Sequence, residues 1–221
     1  MVQLQARMLD VGGISMDVKI GYTSYKVVDD DNLRDENREE CEGLIEYDKG
    51  LISLKSTLSH EKKREVLFHE IIHGITYTEC LAFDFSEDDV LVLGNLLLDT
   101  FDKNHAIFNF FKECNFISVP LSLRIGNSAY ELTFLDEVRD CDDKLVPSLI
   151  DYTNEKLLIK KGRPNSVLLV SLIELILFSI EKFACREFPG ENSCLRMAQG
   201  ITTFIVDNPH LIAFNWEVLH G

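Results

Sequence analysis

Positive charge is scarce in this chain. Across 221 residues, 22 Lys and Arg stand against 37 Asp and Glu, a net charge of −15. That balance argues against a protein that grips a phosphate backbone, because such proteins cluster Lys and Arg. It suits a soluble enzyme, a protein with a basic partner, or an electrostatic imitator of nucleic acid. Proline is sparse too, and all five lie from Pro120 onward. None of the six cysteines (Cys41, Cys80, Cys114, Cys141, Cys185, Cys194) forms a C-x-x-C pair. Met1 to Asp10 is mixed and polar rather than a secretory leader. A chain of this length needs no disulfide staples, so the cysteines read as reduced, mostly core residues of a cytoplasmic protein. No apolar run reaches the length of a bilayer. The longest, Val167 to Ile180, is too short and carries Glu174 near its middle, so no membrane span is expected.

What is present in quantity is hydrophobic material, 46% of the residues, enough for a real core in one large domain or two small ones. Within it stands Phe68-His69-Glu70-Ile71-Ile72-His73-Gly74, the His-Glu-x-x-His signature of zinc hydrolases. On a helix, positions i and i+4 share a face about 6 Å apart, so His69 and His73 can grip one metal together. Glu70 then stands where a carboxylate takes a proton from a metal-bound water. The motif lies in a helix-like run from Ser59, a capping residue, to Thr78. Leu67, Phe68, Ile71, Ile72 and Ile75 cover most of that helix outside the histidine face, so it is buried on nearly all sides. Two histidines and a glutamate there are costly unless bound to something.

In order along the chain, Ser15–Ile20 and Ser24–Val28 alternate as a strand hairpin about Gly21. Asp29 to Glu42 is rich in charge and reads as a solvated loop. Leu44–Tyr47 and Leu51–Leu54 form a second strand pair about Asp48-Lys49-Gly50. The motif helix follows, then a second helix opened by Ser86-Glu87-Asp88-Asp89 and running to about Phe101, then a short helix from Asn104 to Cys114. The pattern then restarts. At a shift of 105 residues, Ile20-Gly21 meets Ile125-Gly126, Tyr25 meets Tyr130, and Leu44-Ile45-Glu46-Tyr47 meets Leu149-Ile150-Asp151-Tyr152. After a one-residue gap, Glu70 meets Glu174 and Glu87 meets Glu191, while His69 and His73 become Ile173 and Leu177. The expected fold class is α+β: two tandem copies of a small unit, each an antiparallel sheet of two hairpins packed on helices, joined near Asn115 to Pro120. Residues 1–116 would form a metallopeptidase-like domain, and 117–221 a degenerate repeat that cannot hold zinc. The two are expected to pack as an internal pseudo-dimer.

Residues kept in both copies are candidates for structural roles. His105, repeated as His210, reads as packing or capping, and His60 and His220 read as isolated surface residues. A third zinc ligand is needed, and the downstream candidates are Glu79, Asp84, Glu87, Asp88 and Asp89. Tyr77, one turn past His73, is a packed residue that could also reach an oxyanion.

The stretches Gly43–Tyr47, Leu51–Leu54 and Leu67–Gly74 together resemble the small metallopeptidase-like proteins of phages and Gram-positive bacteria, of the ImmA/IrrE type and more distantly the SprT type. The likeness covers about residues 13–105 and implies a zincin-like first copy. It also implies that an acidic residue opening the second helix completes the zinc site. Glu87 fits that place best, with Asp88 as the alternative. The function so implied is a zinc-dependent peptidase acting on a protein or peptide substrate, with Glu70 as general base. The competing expectation is a non-catalytic acidic binding protein on the same scaffold, an inhibitor or nucleic-acid mimic from a phage or mobile element. Its surface would be the acidic clusters at 29–42 and at Asp136, Glu137, Asp140, Asp142 and Asp143, engaging a basic protein.

Overall fold

A computed structural model describes residues 15–35, 37–104 and 121–212. The first of these segments begins with β1 (Ser15–Ile20) and β2 (Thr23–Asp30), followed by β3 (Gly43–Glu46) and β4 (Leu51–Lys55). Two helices complete the first half, α1 (His60–Thr78) and α2 (Glu87–Lys103). The second half runs β5 (Leu121–Ile125), β6 (Ser128–Leu135), β7 (Ser148–Asp151), β8 (Lys156–Lys160), α3 (Asn165–Ala184), α4 (Glu191–Asp207) and the single turn α5 (Pro209–Ile212). The protein is thus a mixed α and β structure with two four-stranded sheets, ordered β1-β2-β4-β3 and β5-β6-β8-β7. The short helix expected from Asn104 to Cys114 lies, beyond Asn104, outside the described residues, as do His105, His220 and the expected join at 115–120.

Both hairpins of the first half are present, but the sheet is not antiparallel throughout. β4 lies parallel to β2, with Val27 opposite Ile52, and β3 pairs antiparallel on its far side. The second sheet repeats this, with Leu132 opposite Leu157. Burial explains the arrangement. Ile52, Ser53 and Leu54 are all buried in succession, so β4 is covered on both faces and takes a central place, where parallel pairing is at home. β3 has the amphipathic pattern of an edge, burying only Ile45. Asp29 belongs to the end of β2 rather than to a solvated loop: it accepts from Lys63 of α1 at 2.8 Å, with both side chains nearly buried.

The two helices of the first half start where their sequence provides a cap. The Ser59 hydroxyl accepts from the Lys62 N–H, and Ser86 and Asp89 form a reciprocal capping box at the start of α2. α1 is buried almost all round, as its apolar residues require, lying between its own sheet, α2 and α4. The core is continuous across the two halves, and Phe68 of α1 meets Phe204 of α4 edge to face at 6.3 Å between ring centres.

The halves also exchange their edges. Asn208, the residue that ends α4, donates to the Lys19 carbonyl of β1 at 2.7 Å and accepts from the Lys19 N–H at 2.8 Å. Asn104, which ends α2, makes the same pair of bonds with Arg124 of β5, at 2.7 and 2.8 Å. Each asparagine amide thereby mimics a neighbouring strand and satisfies an outer edge that would otherwise be open. Among the described residues, no helix is long and apolar enough to cross a membrane.

Candidate metal centre

Three side chains from two helices meet at one point. His69 and His73 lie one turn apart on α1, and their Nε2 atoms are 3.0 Å apart. Glu87, the first residue of α2, places Oε1 at 2.9 Å from His69 Nε2 and Oε2 at 3.1 Å from His73 Nε2. The capping box at Ser86 fixes where α2 begins, and Gly94 lets α2 lie close against the α1 backbone at His69. Together these bring Glu87 over the histidine face.

The donor set and its spacing fit zinc. Ligand atoms about 2.0–2.1 Å from a tetrahedral ion stand about 3.3 Å from each other, close to the observed separations. Burial and the neighbouring His69 push the His73 imidazole below its ordinary pKa, although Glu87 pulls the other way. The ring is thereby biased toward its neutral, ligating form. His69 Nδ1 is buried and has no hydrogen-bond partner among the described residues.

Glu70 is 6% exposed and lines the same cleft. Burial, reinforced by Glu87, raises its pKa to about 8, and a backbone hydrogen bond from Ile45 opposes the rise. A cation held by the three ligands would add an opposite charge next to this carboxyl and favour its ionised form. The cleft has a volume of ≈ 580 Å³ and lies between α1, the start of α2 and β3. Its acidic lining includes Asp35, Glu42 and Glu65, with Lys62 between the last two at 3.4 and 3.5 Å.

Of the acidic candidates, the structure brings Glu87 to the histidines and turns the others elsewhere. Asp88 and Asp89 face Arg186 of the second half, at 3.7 and 3.1 Å, and Asp89 also caps Ser86. Asp84 accepts from Ser193, and Glu79 packs where Gly200 of α4 leaves room. Tyr77 is half exposed and does not line the cleft; its ring stacks on Tyr47 at 4.0 Å. His60 is exposed at the start of α1.

The cleft residues with no role assigned from sequence include Tyr47 and Gly43. At Gly43 a Cβ would fall 2.6 Å from Glu70 Oε1 and 2.5 Å from Val66. The close approach of β3 to the motif helix therefore requires a glycine. The signal was a glycine opening a strand, which marks such approaches; at the matching place in the second half stands Ser148.

Comparison of the chain with protein-family models, curated proteins and solved structures found no match.

Proposed function

We propose that this protein is a zinc-dependent peptidase whose centre is His69, His73 and Glu87, with Glu70 as general base. The observation that carries the reading is the meeting of two imidazoles and a carboxylate within hydrogen-bond distance, beside a buried second carboxyl, in an open cleft. Zinc bound there would polarise a peptide carbonyl and lower the pKa of its water. Glu70 would serve there as general base, its carboxylate accepting a proton from the attacking water and giving it to the leaving amine. The walls formed by β3 and α2 hold an extended segment of a protein or peptide substrate. The ImmA/IrrE-like stretches are consistent with this chemistry.

The two halves are read as a tandem duplication, 1–116 and 117–221, in which the second copy lost its metal site. The recurring strand order, the matched asparagine bonds and the paired Glu70/Glu174 and Glu87/Glu191 positions support that history. The acidic loops add little to the alternative of an acidic binding protein. Asp35 accepts from the N–H groups of Asn37 and Glu39, and Asp140 from those of Asp142 and Lys144, so these carboxylates hold their own turns.

Elemental analysis tests the centre. The wild type is expected to carry about one zinc per chain, and His69→Ala to carry almost none. Glu70→Gln is expected to keep the metal while losing at least 100-fold in the cleavage of fluorescently labelled casein. Wild-type protein that takes up no added zinc would end the enzyme reading.

A further inference from the structure

Tyr47 and Tyr152 occupy the same place in the two halves, just after β3 and β7. Their hydroxyls are used differently. Tyr152 donates to the Phe178 carbonyl of α3 at 3.3 Å, and the Lys182 ammonium lies 5.8 Å from its ring centre. In the second half, therefore, packing and one hydrogen bond account for the tyrosine. The residue of α1 that corresponds to Phe178 is Gly74, and Tyr47 makes no such bond to it. Tyr47 instead lines the cleft together with Glu70, His73 and Glu87, and its hydroxyl makes no hydrogen bond among the described residues.

Its ring is nonetheless held in place. Tyr77 stacks on it nearly parallel, at 15°, and the second half has Glu181 at that position. Burial and the Glu70 and Glu87 carboxylates push the Tyr47 hydroxyl up to about 12. A fixed donor without a partner among the described residues, lining the cleft of a proposed metal centre, suits an acceptor on a bound ligand.

Resting on the zinc-peptidase reading, we propose that the Tyr47 hydroxyl donates a hydrogen bond to the anionic oxygen of a ligand held at the His69–His73–Glu87 centre, with Tyr77 acting as the positioning residue for its ring. In catalysis that oxygen is the former carbonyl oxygen of the substrate, and a donor aimed at developing charge acts mainly on turnover. Tyr77, which the sequence offered first as a packed residue and only second for this task, stacks behind the Tyr47 ring.

The test is calorimetric titration of acetohydroxamic acid into zinc-loaded protein, with zinc content and thermal midpoint measured alongside. Tyr47→Phe keeps the ring and the stack, so its zinc content and midpoint are expected to match the wild type while affinity for the hydroxamate falls about tenfold. Tyr152→Phe is expected to lower the midpoint and leave affinity unchanged. Equal affinity in Tyr47→Phe and wild type would overturn the proposal while leaving the metal centre intact. So would a zinc-loaded wild type that does not bind the hydroxamate. A wild type that takes up no zinc would instead remove the reading on which the proposal rests, and the proposal with it.

Discussion

Glu70 and Glu174 are glutamates at matching places on α1 and α3. Both carboxyls have raised pKa values, each chiefly through burial and then through the acidic residue that opens the next helix, Glu87 or Glu191. Beside Glu174, Ile173 and Leu177 stand where α1 has its histidines, so among the described residues no imidazoles are placed there to hold a cation that would favour its ionised form. Below the ordinary glutamate value of 4.5 the group is neutral in both folded and unfolded chains. As pH rises past that value the unfolded chain releases its proton first, and the native state loses stability until the folded carboxyl ionises too. Glu174→Gln is therefore expected to raise the thermal midpoint by about 2 °C at pH 7.5 and to leave it unchanged at pH 4. A shift of equal size at both pH values would mean that the side chain acts by packing, not by charge. Gly43 carries the opposite lesson, that of a residue excluded by space. Gly43→Ala sets a methyl against Glu70 and Val66. It is expected to reduce casein cleavage at least tenfold with zinc content retained. Full activity in that variant would mean that β3 can withdraw from α1 without disturbing the general base.

At the scale of elements, the helices and hairpins were legible because their signals are local. Ser59 and Ser86 announce α1 and α2, and Gly21 and Gly50 mark turns where they take φ of +57 and +60°. The parallel pairing of β2 with β4 was not legible, because alternation within each hairpin says nothing about how two hairpins join. Only the three successive buried residues of β4 reveal its central place, and Ser53 among them does not look buried in sequence. The histidines and Glu70 were legible through their spacing. Which acidic residue meets the histidines was not settled by spacing, since Glu87, Asp88 and Asp89 differ only in the direction each takes from the first turn of α2. The Asp29–Lys63 bridge was missed for a similar reason: a charge run hides the one member that turns inward. In the second half those places are held by Phe134 and Val167. Removing one partner of a nearly buried pair strands the other, so Lys63→Val is expected to cost about 3 kcal/mol in urea unfolding. The double variant Asp29→Phe with Lys63→Val, which copies the second half, is expected to recover most of that loss. No recovery would show that the two sheets are not equivalent at this position.

For the whole molecule, the exchanged asparagine bonds tie the two halves together. Asn104 and Asn208 are 5% and 1% exposed, and each satisfies both the N–H and the C=O of a residue on the other half's outer strand. Losing one amide leaves those two backbone groups short of partners, so Asn208→Ala is expected to cost about 2 kcal/mol, and Asn104→Ala a similar amount. The apolar contact is larger in consequence. Phe68 is buried partly against Phe204, and Ile75 lies where Gly200 allows α4 to approach. A chain of residues 1–116 exposes this surface and leaves the Lys19 edge uncovered, although it keeps every proposed zinc ligand. It is expected to aggregate or to unfold without a cooperative transition, and to become soluble when 117–221 is expressed with it. The zinc content of the rescued pair should match that of the full chain, because the second half supports the motif helix from behind without supplying a ligand. A monomeric 1–116 fragment that unfolds cooperatively near the midpoint of the full chain would show that the second half is an appendage to the first. The second half would then need some explanation other than holding α1 in place.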